Sequence, residues 1–215
     1  MTDYTLILGN KTYSSWSLRG WLLAKQAGIA FEEVVIFLRK PHTRAKLLKV
    51  TPAGKVPTLV VDGDPVWDSL AIAEYLAESF PDKGLWPADP AARRLARCVS
   101  AEMHSGFSEL RGALPMNLSQ HYPNHPIGSG VQADVDRIQA IWGDCRSRFG
   151  KGGDFLFGAF SAADAFYAPI VTRFRTYDVK LDAVSEAYCT AVTNTAWMQE
   201  WAADAAEETE VIVFD

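Results

Sequence analysis

The sequence predicts a small mixed α/β domain over residues 1–80, a linker over 81–90, and an all-α domain over 91–215. Three observations carry this. The first eighty residues alternate short β-prone apolar runs with segments of helical periodicity. Pro81 to Pro90 holds three prolines, one glycine and two aspartates, the composition of a linker. Beyond it the strand signal largely disappears.

Tyr4 to Leu8 reads as the first strand, followed by a loop from Gly9 to Tyr13. Leu18, Trp21, Leu22 and Ala24 then share one helical face, and Gly28 stops that helix. Phe31 to Leu38 is apolar and β-branched, a second strand, and His42 to Val50 is a short helix halted before Pro52. Pro57 to Val61 is a strand, Asp62-Gly63-Asp64 a tight turn, and Pro65 to Trp67 its antiparallel partner. Ile72, Ala73, Leu76, Ala77 and Phe80 build an amphipathic helix that Pro81 ends. The order is β-α-β-α-β-β-α. A helix joining two strands implies a parallel pair by right-handed crossover, so the sheet is mixed.

In the second half, Ala91 to about Ser119 is one long helical pattern kinked near Gly106. Residues 115–130 are rich in Pro, Gly, Asn and His, a long loop. Val131 to Phe149 is helical, with Val135, Ile138, Ile141 and Trp142 aligned. Ser161-Ala162-Ala163-Asp164 opens a further helix, two more fill residues 182–204, and an acidic tail follows. No internal repeat is visible.

Composition narrows the function. With 21 Lys plus Arg against 26 Asp plus Glu, the net charge is −5. That is no footprint for nucleic acid or for an anionic membrane surface. No apolar run approaches the roughly 20 residues of a membrane helix. The start, Met-Thr-Asp-Tyr, lacks the basic and then apolar pattern of a signal peptide, so a cytoplasmic location is expected. Cys98, Cys145 and Cys189 are widely spaced with no CxxC pair, which reads as three buried thiols and no metal site.

Three features of the first half carry chemistry. Tyr13-Ser14-Ser15-Trp16-Ser17 sits where the first strand hands over to the first helix. A helix start offers unpaired N–H donors and a positive end, and its hydroxyls can donate to an anion or serve as the cap. Gly54-Lys55-Val56-Pro57-Thr58-Leu59 opens a strand. A cis bond before Pro57 would leave the Val56 backbone free to pair with an extended peptide, whereas a trans proline there is an ordinary edge residue. Asp68-Ser69 opens the amphipathic helix, suiting either capping or a carboxylate ligand.

In order and spacing these features resemble the cytosolic glutathione transferase superfamily over essentially the whole length. Ser14-Ser15-Trp16-Ser17-Leu18-Arg19 resembles the zeta-class pattern Ser-Ser-Cys-Ser followed by Trp-Arg. Val56-Pro57 looks like the family's cis-proline, Asp68-Ser69 like its Glu-Ser pair, and Ser161 with Asp164 like its structural capping box. The resemblance implies a thioredoxin-like first domain and a helical second domain, the glutathione transferase fold. It implies glutathione as co-substrate, its cysteinyl part on Val56 and its γ-glutamyl part held by Asp68 and Ser69. Lys55 would contact its backbone, and His42 or nearby basic residues its glycyl carboxylate. Ser14 matches the catalytic serine, Ser15 is the neighbour able to substitute, and Tyr13 is a rival because other classes use a tyrosine. A small electrophile would sit against Met103, His104, Phe107 and Arg111, although Met103 and Phe107 equally suit the core. Arg173 and Arg175 are further candidates, read first as surface residues. A homodimer is implied.

The energetics permit a serine. Lowering a thiol pKa from about 8.5 by about 2 units takes ~2.7 kcal/mol. A hydrogen bond to a charged group contributes ~1.5–3 kcal/mol and a helix start ~0.3–1 kcal/mol. Because Trp16 stands where the zeta motif has Cys, generic transferase chemistry is expected. The alternatives are a zeta-type maleylacetoacetate isomerase and a non-catalytic binding or scaffold protein.

Overall fold

A computed structural model describes residues 2–213. Its sheet has four strands: β1 (Tyr4–Leu8), β2 (Glu32–Val35), β3 (Thr58–Val61) and β4 (Asp64–Val66), in the order β2-β1-β3-β4. β1 runs parallel to β2, with Thr5 opposite Glu32 and Leu8 opposite Val35, and antiparallel to β3. The β3–β4 pair is the hairpin that Asp62-Gly63 turns. Alternation along β1 gives the sheet two apolar faces. Leu6 and Leu8 join the large core with Leu18, Leu22, Ile72 and Leu76, while Ile7 packs on the other face with Ile36 and Leu47.

The helices of this half are α1 (Ser15–Ala27), α2 (Thr43–Leu47) and α3 (Ser69–Ser79). α1 is capped by Ser14 and closed by Gly28 at φ 69°, the left-handed conformation that glycine adopts without strain. Within α1, Gly20 passes so close to Pro57 that a Cβ there would lie 2.6 Å from the proline's Cβ. A single 3₁₀ turn, Pro81–Lys83, leads out of α3.

The remaining helices are α4 (Pro90–Ser105), α5 (Ser108–Ala113), α6 (Ser129–Phe149), α7 (Ala162–Thr176), α8 (Ala183–Thr193) and α9 (Ala196–Ala206). α7 is buried along almost its whole length and packs against both α1 and α4. Its start is a capping box. Asp164, fully buried, accepts from the N–H groups of Ser161 (2.8 Å) and Leu156 (3.0 Å). One apolar cluster runs through both halves, from Leu6 and Trp21 to Trp142 and Trp201.

Three expectations change. The second strand covers only Glu32–Val35 of the apolar run, because the chain turns off the sheet after Ile36. The long helical pattern is two helices, parted at Gly106 and at Phe107, whose φ of 59° interrupts the helix. Cys98 is exposed on α4, and only Cys145 and Cys189 are buried. Among the described residues, no helix is long and apolar enough to cross a membrane.

Candidate functional site

A cleft of about 710 Å³ lies where the starts of α1 and α3 meet α2 and the segment before β3. Lys55, Val56, Asp68 and Ser69 all line it, so the tertiary fold brings together residues far apart in sequence. The Val56–Pro57 peptide is cis. Ser69 is fully buried, yet its Oγ has no hydrogen-bond partner among the described residues. A buried hydroxyl without a partner is costly, and one beside a cleft at a helix start fits a ligand carboxylate. Asp68 divides its carboxylate. Oδ1 accepts from the Leu70 N–H at 3.0 Å, capping α3, and Oδ2 meets His104 Nε2 at 2.6 Å. His104, on α4, thereby closes the cleft from the helical half.

His42 does not reach this cleft. It precedes the first turn of α2 and is exposed, whereas Thr43, Arg44 and Leu47 lie along the helix edge that faces inward. The basic groups on the rim are Lys40, Arg44 and Lys55.

Across Trp16 and Leu38 lies a second cavity of about 650 Å³, and both residues line both spaces. Tyr13, Ser14 and Ser15 form one wall and Arg111 and Arg173 another. Ser14 Oγ accepts from the Ser17 N–H at 3.2 Å and donates to Ser17 Oγ at 2.8 Å. Ser17 Oγ also accepts from the Gly9 N–H at 2.8 Å. Capping uses the Ser14 oxygen as acceptor, and its proton can rotate from Ser17 toward the cavity without breaking the cap. The first turn of α1 holds no acidic residue, so its positive end is not neutralised there.

Two guanidinium groups lie over Trp16, and a third, Arg173, lines the same cavity. Arg19 lies 4.4 Å and Arg111 5.0 Å from the centroid of its ring. Arg111 also donates to the carbonyls of His104 (3.3 Å) and Gly106 (3.2 Å). Arg173 donates to the carbonyls of Arg111 (3.2 Å) and Leu114. Arg19 is 1% exposed, and its Nε and Nη1 have no hydrogen-bond partner among the described residues. None of the three has a carboxylate ion-pair partner among the described residues. Burial, reinforced by Arg111 and Arg173, pushes Arg19 down to about 9. Burial with Arg111 pushes Arg173 down to about 10, and burial also lowers Arg111. Arg111 and Arg173 line the cavity, with Arg19 behind Trp16, and guanidinium groups so placed favour an anion in this space.

Met103 and Phe107 line neither cavity. Both are core: Met103 turns inward on α4, and the break at Gly106 takes Phe107 off the helical spacing that aligned it. Arg173 is buried rather than on the surface. Arg175 is half-buried and paired with Glu186 at 2.6 Å. The sequence reading held Arg19 and Trp16 only as motif positions, with no place in the site, took in Lys40 only among the basic residues near His42, and passed over Ile212, which enters the second cavity from the C-terminal tail. Arg19 had a signal, lying four residues after Ser15 on the same helical face. Ile212 had none.

Residues 13–79 match the family model described as glutathione S-transferase, N-terminal domain, and residues 128–203 match glutathione S-transferase, C-terminal domain. The chain is 37% identical to a maleylacetoacetate isomerase of Rattus norvegicus, covering 78% of this chain and 76% of that protein. It is 39% identical to a probable maleylacetoacetate isomerase of Caenorhabditis elegans over 48% of each chain. With a Rhizobium meliloti maleylacetoacetate isomerase it shares 40% identity over 40% of this chain and 41% of the other. The matched region thus spans about half or less of the last two relatives. In fold the chain is similar to a Burkholderia glutathione transferase homolog solved with bound glutathione. The TM-score is 0.74 at 22% identity, covering 96% of this chain and 100% of that one.

Proposed function

Because the chain belongs to the glutathione S-transferase family, we propose that it holds glutathione as a thiolate at Ser14 for attack on a small, negatively charged electrophile. The observation that carries this reading is the meeting of two cavities at Trp16 and Leu38. One presents a backbone edge, an acidic group and an orphaned hydroxyl. The other presents serine hydroxyls and the guanidinium groups of Arg111 and Arg173, neither ion-paired to a carboxylate among the described residues.

In this reading Val56 pairs with the cysteinyl backbone, Ser69 Oγ donates to the γ-glutamyl carboxylate and Asp68 attracts the adjacent ammonium. Lys40, Arg44 and Lys55 supply the positive rim for the glycyl carboxylate. The sulfur then lies at the junction, where Ser14 turns its proton from Ser17 toward it and Ser15 stands beside it. The α1 start adds its positive end. Arg111 and Arg173 orient an anionic group of the second substrate, and Trp16 keeps the two ligands in separate compartments. A homodimer in the cytoplasm is part of the same proposal.

Ultraviolet titration of bound glutathione tests it. In the wild type the thiol should ionise well below its free value. In Ser14→Ala its pKa should rise by about 1–2 units, the equivalent of one charge-assisted hydrogen bond, with little change in glutathione affinity. A wild-type thiol no more acidic than that of the free tripeptide would sink the proposal, and would favour a binding protein without catalysis.

A second reading, a maleylacetoacetate isomerase, draws support from the names of the rat, nematode and Rhizobium relatives. Trp16 in the place of a motif cysteine weighs against it. Turnover of maleylacetoacetate by the purified chain decides between them.

A further inference from the structure

The last described residues fold back across the second cavity and are fastened there at several points. Glu208 accepts from the backbone N–H groups of Lys11 at 2.6 Å and Thr12 at 2.9 Å, and Thr12 Oγ1 donates to the Ala205 carbonyl at 3.1 Å. Farther along, Glu210 pairs with Lys40, and the Val213 carbonyl accepts from Arg39 at 3.1 Å. Between these ties Ile212 is 9% exposed, while its neighbours Val211 and Val213 are 71% and 75% exposed. An aliphatic side chain turned inward between two turned outward has a specific seat.

That seat is a partition. Ile212 lines the second cavity and also a separate chamber of about 600 Å³, walled by Asn117, Tyr122, His125 and Tyr177. The Tyr122 and Tyr177 rings stack at 5.3 Å, and His125 meets Tyr177 edge-on at 5.0 Å. The chamber is therefore suited to a planar, aromatic group. The two spaces share Tyr13, Gly112, Pro115 and Ile212. Of these four, only Ile212 comes from the tail.

We propose that Ile212 is a specificity-determining residue, confining the second substrate to the arginine-lined cavity and shutting it out of the aromatic chamber. The proposal rests on the glutathione reading above. The wild type accordingly accepts compact anionic electrophiles and rejects those carrying an extended aromatic arm. Shortening Ile212, or untying the tail, joins the chambers and admits the arm.

Calorimetric binding to the full chain tests this with three probes: glutathione, S-(carboxymethyl)glutathione, and S-(1-carboxy-3-phenylpropyl)glutathione, which adds the aromatic arm. Ile212→Ala should leave glutathione affinity unchanged and tighten the third probe about tenfold relative to the second, the scale of one methylene in an apolar pocket. Glu208→Ala should shift the ratio of the two conjugates in the same direction. Ile212→Trp should weaken both conjugates and spare glutathione. An unchanged conjugate ratio in Ile212→Ala, or an equal loss for all three probes, overturns the proposal. If glutathione itself fails to bind the wild type, the functional reading falls with it.

Discussion

Ser69 and Arg19 are buried polar groups whose hydrogen bonds are incomplete, and their costs differ in kind. The Ser69 hydroxyl is neutral, and removing an unpaired neutral group is close to free for the fold. Ser69→Ala should therefore unfold at nearly the wild-type temperature while binding glutathione roughly tenfold more weakly, as titration calorimetry would register. Arg19 carries a buried charge with no ion-paired carboxylate among the described residues, Asp68 acting on it only from a distance. Its guanidinium sits near 9 in the fold against 12.5 in the open chain, so protonation below about pH 9 works against folding. Replacing a buried ion pair by apolar side chains is often neutral or stabilising by about 1–4 kcal/mol, and a cation without an ion-pair partner has less attraction to lose. Arg19→Met should gain stability at pH 7 in denaturant titrations, and the gain should shrink as pH rises through 9. The same variant should bind anionic conjugates less well, since one cation beside Trp16 is gone.

Each part of the site begins where a secondary-structure element begins. Ser14 opens α1, Asp68 opens α3 and Pro57 immediately precedes β3. Element starts expose unpaired backbone groups, which is why ligand contacts gather there. The same physics works structurally in α7, where Asp164 satisfies the buried N–H groups of Leu156 and Ser161. Asp164→Ala leaves both donors unpaired, at about 1–3 kcal/mol each. Thermal unfolding should fall by roughly 10 °C, taking about 2–4 °C per kcal/mol for a chain of this size. Asp164→Asn, which keeps an acceptor, should lose less.

On the scale of the whole molecule, the sheet half and the helical half share one interior. Trp21 meets Trp201 at 5.4 Å, and Trp201 Nε1 donates to the Lys11 carbonyl at 3.0 Å. Lys11 Nζ pairs with Glu33 at 2.5 Å and with Asp204 at 2.6 Å, and His104 reaches Asp68 from the other side. Urea unfolding followed by tryptophan fluorescence and by far-ultraviolet circular dichroism should therefore give coincident curves. Two separated transitions would contradict a shared core.

The order of strands in the sheet half, the turn at Asp62-Gly63, and the positions of Ser14 and Asp68 at helix starts and of Val56 before a strand were legible in the residues. Caps, turns and periodicity act within a few positions, so one strand of text suffices to read them. Which member of a helical stretch faces a cavity was not legible. Met103 and His104 are adjacent, yet one belongs to the core and the other to the cleft, because the chain segments bearing Trp16 and Asp68 lie against His104 and leave Met103 turned to the interior. The burial of Arg173 and the seat of Ile212 depend likewise on partners tens to hundreds of residues distant, such as Leu114 and Thr12. Local chemistry was determined by sequence; the compartments, and the side chains dividing them, were decided by packing between segments that sequence proximity does not connect.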